Sequence, residues 1–495
     1  MIVETITIII YTTALIFILI YALAQLNLLF NYVRAQSKKA TPKKINWQNL
    51  NEVPFVTIQL PVYNEKYVME RLLKNIVLID YPKERLEIQV LDDSTDDTLE
   101  NTAALIAKLQ KMGIDIQHVL RKKRTGFKAG ALKEGLKSAK GEFIAIFDAD
   151  FLPKPDWLKR TVPHFTSENI GVVQTRWGHI NRDYSLLTKV QAFALDAHFS
   201  LEQVGRNSHD HFINFNGTAG IWRKQCIIDA GNWEGDTLTE DLDLSYRAQL
   251  KGWKFAYLED VETPAELPVV ISAARSQQFR WNKGGAENFQ KMKWRLLTSP
   301  TIPLKTKIHG LLHLLNSTMF LNIFIVAVLS IPMLYIKNEY AHLKVYFIVM
   351  SFFVISTLIF FVCYWFMFKK IYGGGILNFF KYIGMFFTFF SIAMGFSLHN
   401  TIAILEGHFG KKSEFIRTPK FNINTLKDSW KDNIYLKDKI SPHVVLEGLL
   451  MLYFAFGMYS AFVVGKEGDF GLFPFHLMLF LGFGYVFFKS LKTRS

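Results

Sequence analysis

Cysteine is nearly missing from this chain: two in 495 residues, Cys226 on a polar stretch and Cys363 in an apolar run. They are too few and too far apart for a disulfide framework or a cysteine-based zinc site, and a reducing compartment is the simplest setting for the polar part. Glycine-rich dinucleotide fingerprints, Walker loops, nucleophile elbows and zinc-protease motifs are all absent, which removes most other enzyme classes. No internal repeat or low-complexity tract appears. Acid is the minority charge, with 43 Asp and Glu against 57 Lys and Arg and a net +14. Such an excess could suggest nucleic acid, yet no zinc finger, heptad repeat or RNA-binding aromatic motif accompanies it, and no nucleic-acid partner is expected.

What is present is apolar. Half the residues are hydrophobic, 44 of them Phe, and mean hydropathy is positive, so part of the chain sits in lipid and membrane lipids are partners. Residues 6–30 can span a bilayer of roughly 30 Å and are followed by Arg34, Lys38, Lys39, Lys43 and Lys44, which put the next domain in the cytoplasm. The run is too long for a cleaved signal and has no basic leader. Beyond Pro300, spans are expected at 311–334, 345–368, 444–464 and 473–488, with Lys369, Lys370, Lys489, Lys492 and Arg494 at cytoplasmic ends. Parity then leaves 376–405 with no net crossing, as an interfacial or re-entrant element, a pair of short spans being the alternative. The expected division is a transmembrane helix at 1–33, a cytoplasmic domain at 50–300, and transmembrane helices at 301–495 that include the element 376–405 and a cytoplasmic loop at 406–440. This makes five crossings, with the N-terminus outside and the C-terminus inside the cell's inner (plasma) membrane.

Between about 55 and 300, short apolar runs alternate with amphipathic ones. Strands are expected at 55–61, 86–91, 114–119, 143–147 and 172–175, and helices at 67–78, 98–111, 129–138 and 156–165. That alternation predicts a mostly parallel, doubly wound α/β sheet, whose ligands bind beyond the carboxyl ends of its strands. Asp92-Asp93 and Asp148-Ala149-Asp150 both stand at such ends and should face one crevice.

Asp148 and Asp150, one residue apart after an apolar strand, suit a Mg²⁺ or Mn²⁺ whose other ligands come from substrate phosphates. Asp92 and Asp93 suit nucleoside recognition, although one of them could serve only an Asx-type turn. Thr239-Glu240-Asp241 precedes an amphipathic run; Thr239 could be a helix cap, while Asp241 with Glu240 beside it fits a general base acting on an acceptor hydroxyl. Arg280 offers a planar fork for a diphosphate, with Lys128 as a second cation and Gln277 on the same stretch. Trp281 offers a face for sugar stacking, or an interfacial anchor. His309 and His313 share a helix face without a third ligand, which favours packing over metal binding.

The ordered series Asp92 or Asp93, Asp148 with Asp150, Thr239-Glu240-Asp241, and Gln277, Arg280, Trp281 resembles the D, DxD, TED and QxxRW series of inverting family 2 glycosyltransferases with a GT-A fold, specifically the membrane-embedded cellulose synthase and cellulose synthase-like group. Segments such as 90–96, 128–135 and 215–220 are similar to glucomannan mannosyltransferases and xyloglucan glucan synthases, which implies a β-linked hexose product. Processive members carry a loop FxVTxK after an interfacial helix; here Phe415-Ile416-Arg417-Thr418-Pro419-Lys420 follows 376–405, with Arg417 where that group has Val. The resemblance implies that Thr418 and Lys420 contact the donor diphosphate. The function expected is processive, inverting transfer of a hexose from UDP-glucose or GDP-mannose to a growing β-glycan. The alternatives are a non-processive ceramide- or diacylglycerol-type glucosyltransferase and a non-catalytic transporter or channel.

Overall fold

The computed structural model describes residues 2–35, 41–431, 433–436 and 442–492; Lys38, Lys39 and Arg494, on which part of the charge reading rests, lie outside them. Among the described residues the polar region forms one sheet from β1 (Val56–Val62), β2 (Leu86–Asp92), β3 (Ile116–Leu120), β4 (Phe143–Ile146), β5 (Ile170–His179), β6 (Gly220–Arg223) and β7 (Lys254–Ala265). Their order is β3-β2-β1-β4-β6-β5-β7. The expected parallel pairings of β1 with β2 and β4, and of β2 with β3, are present. Two strands went unforeseen. β6 is four residues long and runs antiparallel to β4 and β5, and β7 interleaves Glu259, Asp260 and Glu262 with apolar residues. Neither gives the sustained apolar run that marks a central strand.

β1 and β4 lie in the middle of the sheet and are buried on both faces; β4 is a continuous apolar run, while β1 carries Thr57 and Gln59, which hydrogen-bond to Glu87 and Gln89 of β2. One face packs Ile58, Leu60 and Ala145 against Leu72, Ile76 and Trp157. The other packs Leu91, Ile144 and Ile146 against Leu132, Leu136 and Trp222. With both faces covered, the free edges of the layer are its strand ends. Register aligns Val62 of β1 with Asp92 of β2, so the loops leaving these strands emerge side by side.

Six helices among the described residues are long and apolar enough to cross a membrane: Ile2–Ala35, Thr318–Glu339, Ala341–Tyr372, Ile376–Gly395, Pro442–Val463 and Phe473–Lys492. The span expected at 311–334 is divided, because Leu304–Leu314 ends in a turn at 315–317 before the membrane-length helix begins at Thr318. In that turn Asn316 accepts a hydrogen bond from the Tyr21 hydroxyl of the first helix.

Contacts with the sheet domain order these helices. Tyr32, near the end of the first helix, donates to Glu259 Oε1 at 3.1 Å, and Lys370 Nζ lies 2.6 Å from the same oxygen. After Ile376–Gly395 and Ser397–His408 the chain returns to the domain, where Arg417 pairs with Glu65 at 2.7 Å. The stretch 376–408 therefore begins and ends beside the sheet domain. Reporters fused at 372, at 425 and at the C-terminus are expected on the side of residues 50–300, and reporters at 340 and 466 on the opposite side. A reporter at 425 found opposite the sheet domain would overturn this arrangement.

Candidate active site

The carboxyl ends of β1, β2 and β4 open onto one crevice of about 190 Å³, lined by Glu65, Asp93, Lys128, Asp148, Asp150, Asp241, Arg280 and Lys420 among others. Asp92 is not on this wall. It is buried, its Oδ1 accepts from the Ser94 N–H at 2.8 Å, and its Oδ2 lies 3.1 Å from His118 Nε2, so it shapes the turn that presents Asp93. Asp93 faces the crevice and is gripped by Arg121, whose Nε donates to Oδ1 at 2.9 Å and whose Nη2 donates to Oδ2. Across from it the Arg124 guanidinium lies 3.4 Å over the Tyr63 ring, a flat cationic platform at the outer rim.

Lys128 stands in the first turn of the helix Phe127–Ser138 and donates to Asp148 Oδ1 at 2.6 Å and to the Gly217 carbonyl at 2.9 Å. Burial alone would lower its pKa, but Asp148, Glu240 and Asp241 outweigh that and hold it above the ordinary lysine value. Lys420 Nζ lies 2.6 Å from Asp150 Oδ2, while Asp150 Oδ1 is buried without a hydrogen-bond partner. Such an oxygen, facing a crevice beside a second aspartate, fits a hard divalent cation. A second acidic group, Glu234, Asp236 and Asp243, converges elsewhere, but Lys291 Nζ already bridges its three carboxylates at 2.7, 2.9 and 2.9 Å and Arg247 pairs with Asp243 at 2.6 Å.

Thr239 precedes the helix Glu240–Leu250 and makes no side-chain capping bond. Its Oγ1 instead accepts from Asn288 Nδ2 at 2.9 Å on the long helix Ile271–Thr298. That helix also carries Gln277, Arg280 and Trp281, which at spacings of three and four share one face. Glu240 and Asp241 differ from the other crevice acids in making no ion pair within 4 Å among the described residues. Burial, and then the Glu240 charge, push the Asp241 carboxyl up to about 7; burial likewise raises Glu240. Gly217 (φ +78°) makes room beside this pair, since a Cβ there would lie 3.3 Å from Asp241 Oδ2 and 3.5 Å from Lys128 Nζ. Arg280 is pushed down to about 10, first by burial, against the pull of Glu240 and Asp148.

The segment 415–421 enters the same crevice. Phe415 stacks on Phe127 at 5.7 Å, the Ile416 carbonyl accepts from Arg280 Nη1 at 2.6 Å, Thr418 is buried, and the Phe421 N–H donates to Glu266 Oε1 at 2.8 Å. Pattern reading missed Glu65, whose carboxyl burial raises to about 7 against the opposing charges of Arg417 and Lys420. The signal was available, since Asn64-Glu65 follow β1 as Asp92-Asp93 close β2.

Trp177, Leu195, Asn216, Thr239, Asp241, Gln277 and Trp281 line this crevice and also a second cavity, of about 980 Å³, that runs on among the apolar helices. Asp241 therefore stands where the polar crevice meets the longer cavity.

Residues 54–284 match a family model described as "Glycosyltransferase like family 2". This segment is a glycosyltransferase domain of that family type. Glucomannan 4-beta-mannosyltransferase 1 of Oryza sativa subsp. japonica is 42% identical over 261 residues, which are 52% of this chain and 50% of that protein. Glucomannan 4-beta-mannosyltransferase 2 of Arabidopsis thaliana is 44% identical over 262 residues, 52% of this chain and 49% of that protein. The chain thus spans about half the length of the curated relatives it matches. A mannosyltransferase from Pyrobaculum calidifontis, solved in complex with GDP-Man and Mn²⁺, superposes with a TM-score of 0.52 at 19% identity, covering 81% of this chain and 100% of that one. That likeness shows the GT-A-type fold of the glycosyltransferase domain, to which several helices apolar enough to cross a membrane are joined.

The Arg121–Asp93 pair gives a direct check on this site. Both side chains are nearly buried, and Arg121 also donates to the Thr125 and Phe127 carbonyls at 2.9 Å, which fixes the turn before Lys128. Arg121→Ala is expected to cost about 3–5 kcal/mol in denaturant unfolding of the detergent-solubilised protein, because it leaves Asp93 buried and unpaired. Asp93→Asn in the same chain should recover much of that loss if the pair is what matters.

Proposed function

We propose that the chain is a membrane-integral, processive, inverting glycosyltransferase that moves a hexose from a nucleotide-diphospho-sugar, GDP-mannose or UDP-glucose, onto a growing β-linked glycan. The observation that carries this reading is Asp241, a half-buried carboxylate without an ion-pair partner at the junction of the polar crevice and the long cavity. The glycosyltransferase domain faces the cytoplasm of the inner (plasma) membrane, in keeping with the basic residues at its membrane ends.

In this mechanism the donor's nucleoside lies near Asp93 and the Tyr63–Arg124 platform, and its diphosphate points towards Lys128, Arg280, Thr418 and Lys420. The acceptor hydroxyl enters from the long cavity, with its ring against Trp281. As that hydroxyl oxygen attacks the anomeric carbon, its proton passes to the Asp241 carboxylate, and the bond to the diphosphate breaks on the opposite face, inverting the centre. The electron pair leaves with the diphosphate, whose charge the two lysines and Arg280 stabilise. Mg²⁺ or Mn²⁺ held by Asp148 and Asp150 would supply further charge neutralisation at the diphosphate. Glu240 makes no contact with the proton in flight; its charge keeps Asp241 basic. The segment 415–421 closes the crevice against water and so limits donor hydrolysis.

Incubating the purified protein with labelled nucleotide sugars and sizing the product tests the whole reading: polymer supports it, and a single sugar on lipid, or no transfer from any donor, overturns it. Asp241→Asn keeps the shape but cannot take the proton, so kcat should fall at least about 100-fold with donor binding near normal. The pH dependence follows from the same group. Asp241 must be a carboxylate to act, so kcat/KM should drop as pH falls through about 7. In Glu240→Gln a neighbouring negative charge is lost, the carboxylate form of Asp241 is favoured, and the acid limb should move to lower pH; an unmoved limb would separate it from Asp241.

A further inference from the structure

The cavity that starts at Asp241 reaches a charged group at its other end. Its wall includes Lys337, in the last turn of Thr318–Glu339, and Asp469, in the connection between Pro442–Val463 and Phe473–Lys492. The near end of Thr318–Glu339 adjoins Asn316 and Ser317, which line the same cavity, and 22 residues of helix rise about 33 Å, roughly one bilayer core. Lys337 Nζ lies 2.7 Å from Asp469 Oδ2, Asn338 Nδ2 donates to the same oxygen at 3.1 Å, and the Gly471 N–H donates to Oδ1 at 3.2 Å. Between the two ends the wall is apolar, with Ile323, Val326, Phe353 and Phe390.

An exposed ion pair at a helix end ordinarily contributes little and needs no further purpose. This one differs in two respects. The Asp469 carboxylate is largely buried, at 12% exposed, while Lys337 remains 44% exposed, so the pair is a partly solvated polar ring at the mouth of an apolar passage. The connection also lies close to the helix end: a Cβ at Gly465 (φ +77°) would lie 2.9 Å from Asn338 Oδ1. Beside it Phe462 meets Phe470 and Phe473 with ring centroids 5.0 and 5.9 Å away. Carboxylate, ammonium, carboxamide and clustered ring faces are the groups that recognise polyhydroxyl chains. One positive and one negative side chain suit an uncharged chain better than an acidic one.

We propose that Lys337, Asn338 and Asp469 form an exit site that binds the emerging, uncharged β-glycan at the far mouth of the cavity. Sugar hydroxyls donate to Asp469, and sugar oxygens accept from Lys337 and Asn338. Binding there holds the chain in place between additions, while its other end waits at Asp241. The proposal rests on the polymerase reading above, and its test is built to fail separately from it.

Gly471→Cys, made in a Cys363→Ser background because Cys363 also lines the cavity, places a thiol at this mouth. Its rate of labelling by a membrane-impermeant maleimide is followed from the side opposite the glycosyltransferase domain, alongside the product sizes. Arrest with a nascent chain, by withdrawing donor, is expected to slow labelling about fivefold, the factor for a site four-fifths occupied, and digestion with an endo-β-glycanase should restore it. Added β-1,4-linked mannohexaose or cellohexaose should protect the idle enzyme in the same way. Protection should disappear when Lys337→Ala and Asp469→Ala are introduced together, and an oligogalacturonate should not protect. Polymer made with no protection by nascent chain or oligosaccharide overturns the exit site while leaving the polymerase reading standing. Protection by oligosaccharide in an enzyme that makes no polymer supports the site and sinks the polymerase reading.

Discussion

The arrangement depends first on how closely the helix Glu240–Leu250 approaches the long helix Ile271–Thr298. Gly284 permits that approach, because any side chain there would overlap Thr239. Asn288, fully buried, then fixes Thr239 through its carboxamide. This contact joins the glycosyltransferase domain to the element carrying Gln277, Arg280 and Trp281, and so sets where Asp241 stands relative to both cavities. The same helix is tied onward by buried ion pairs. Arg275 meets Glu447 of Pro442–Val463, and Lys283, fully buried, lies 3.1 Å from Glu406 of Ser397–His408. Removing Glu447 or Glu406 would leave Arg275 or Lys283 buried without its carboxylate, so the position of this helix is set jointly by the sheet domain and the helices packed on it.

Charge pairing explains why these carboxylates have different roles. Asp93 with Arg121, Asp148 with Lys128, Asp150 with Lys420, Glu65 with Arg417 and Glu266 with Arg71 are each matched by a cation. A matching cation favours the anion, although burial still raises Glu65 to about 7 and raises Glu266. Glu240 and Asp241 have no ion-pair partner and repel one another; what separates Asp241 from Glu65, also raised to about 7, is that no cation is paired with it and that it lines both cavities. Removing its neighbour's charge would therefore weaken the base.

Much of this was legible before the structure. Strand β4 announces itself as a continuous apolar run, and β1 and β2 by apolar residues at every second position, the polar ones between them being paired with each other across the two strands. Asp148 and Asp150 follow from the end of β4, and Gln277, Arg280 and Trp281 from helical spacing. Asp92 could not be told from Asp93, because which of two adjacent carboxylates turns inward depends on His118 in the neighbouring strand and on the turn at Ser94. Arg417 read as a departure from a pattern, and only its distance to Glu65 gives it a partner. The short β6, the turn at 315–317 and the meeting of two cavities at Asp241 depend on tertiary packing and leave no periodic trace.

The same pairing constrains how a donor can enter. A diphosphate ester brings negative charge into a crevice whose lysines already serve Asp148 and Asp150. If Lys128 and Lys420 turned to the phosphates, two aspartates would be left buried or half-buried without a counter-charge, a state costing several kcal/mol. If they stayed, the diphosphate would face carboxylates. Asp148 and Asp150 are the residues that would hold a divalent cation, and its charge would offset that of the diphosphate. Of the two lysines, Lys128 is anchored in a helix and bound to the Gly217 carbonyl, whereas Lys420 belongs to the segment that covers the crevice. Freeing Asp150 of the Lys420 ammonium would therefore require 415–421 to move, which would couple donor loading to the position of that segment.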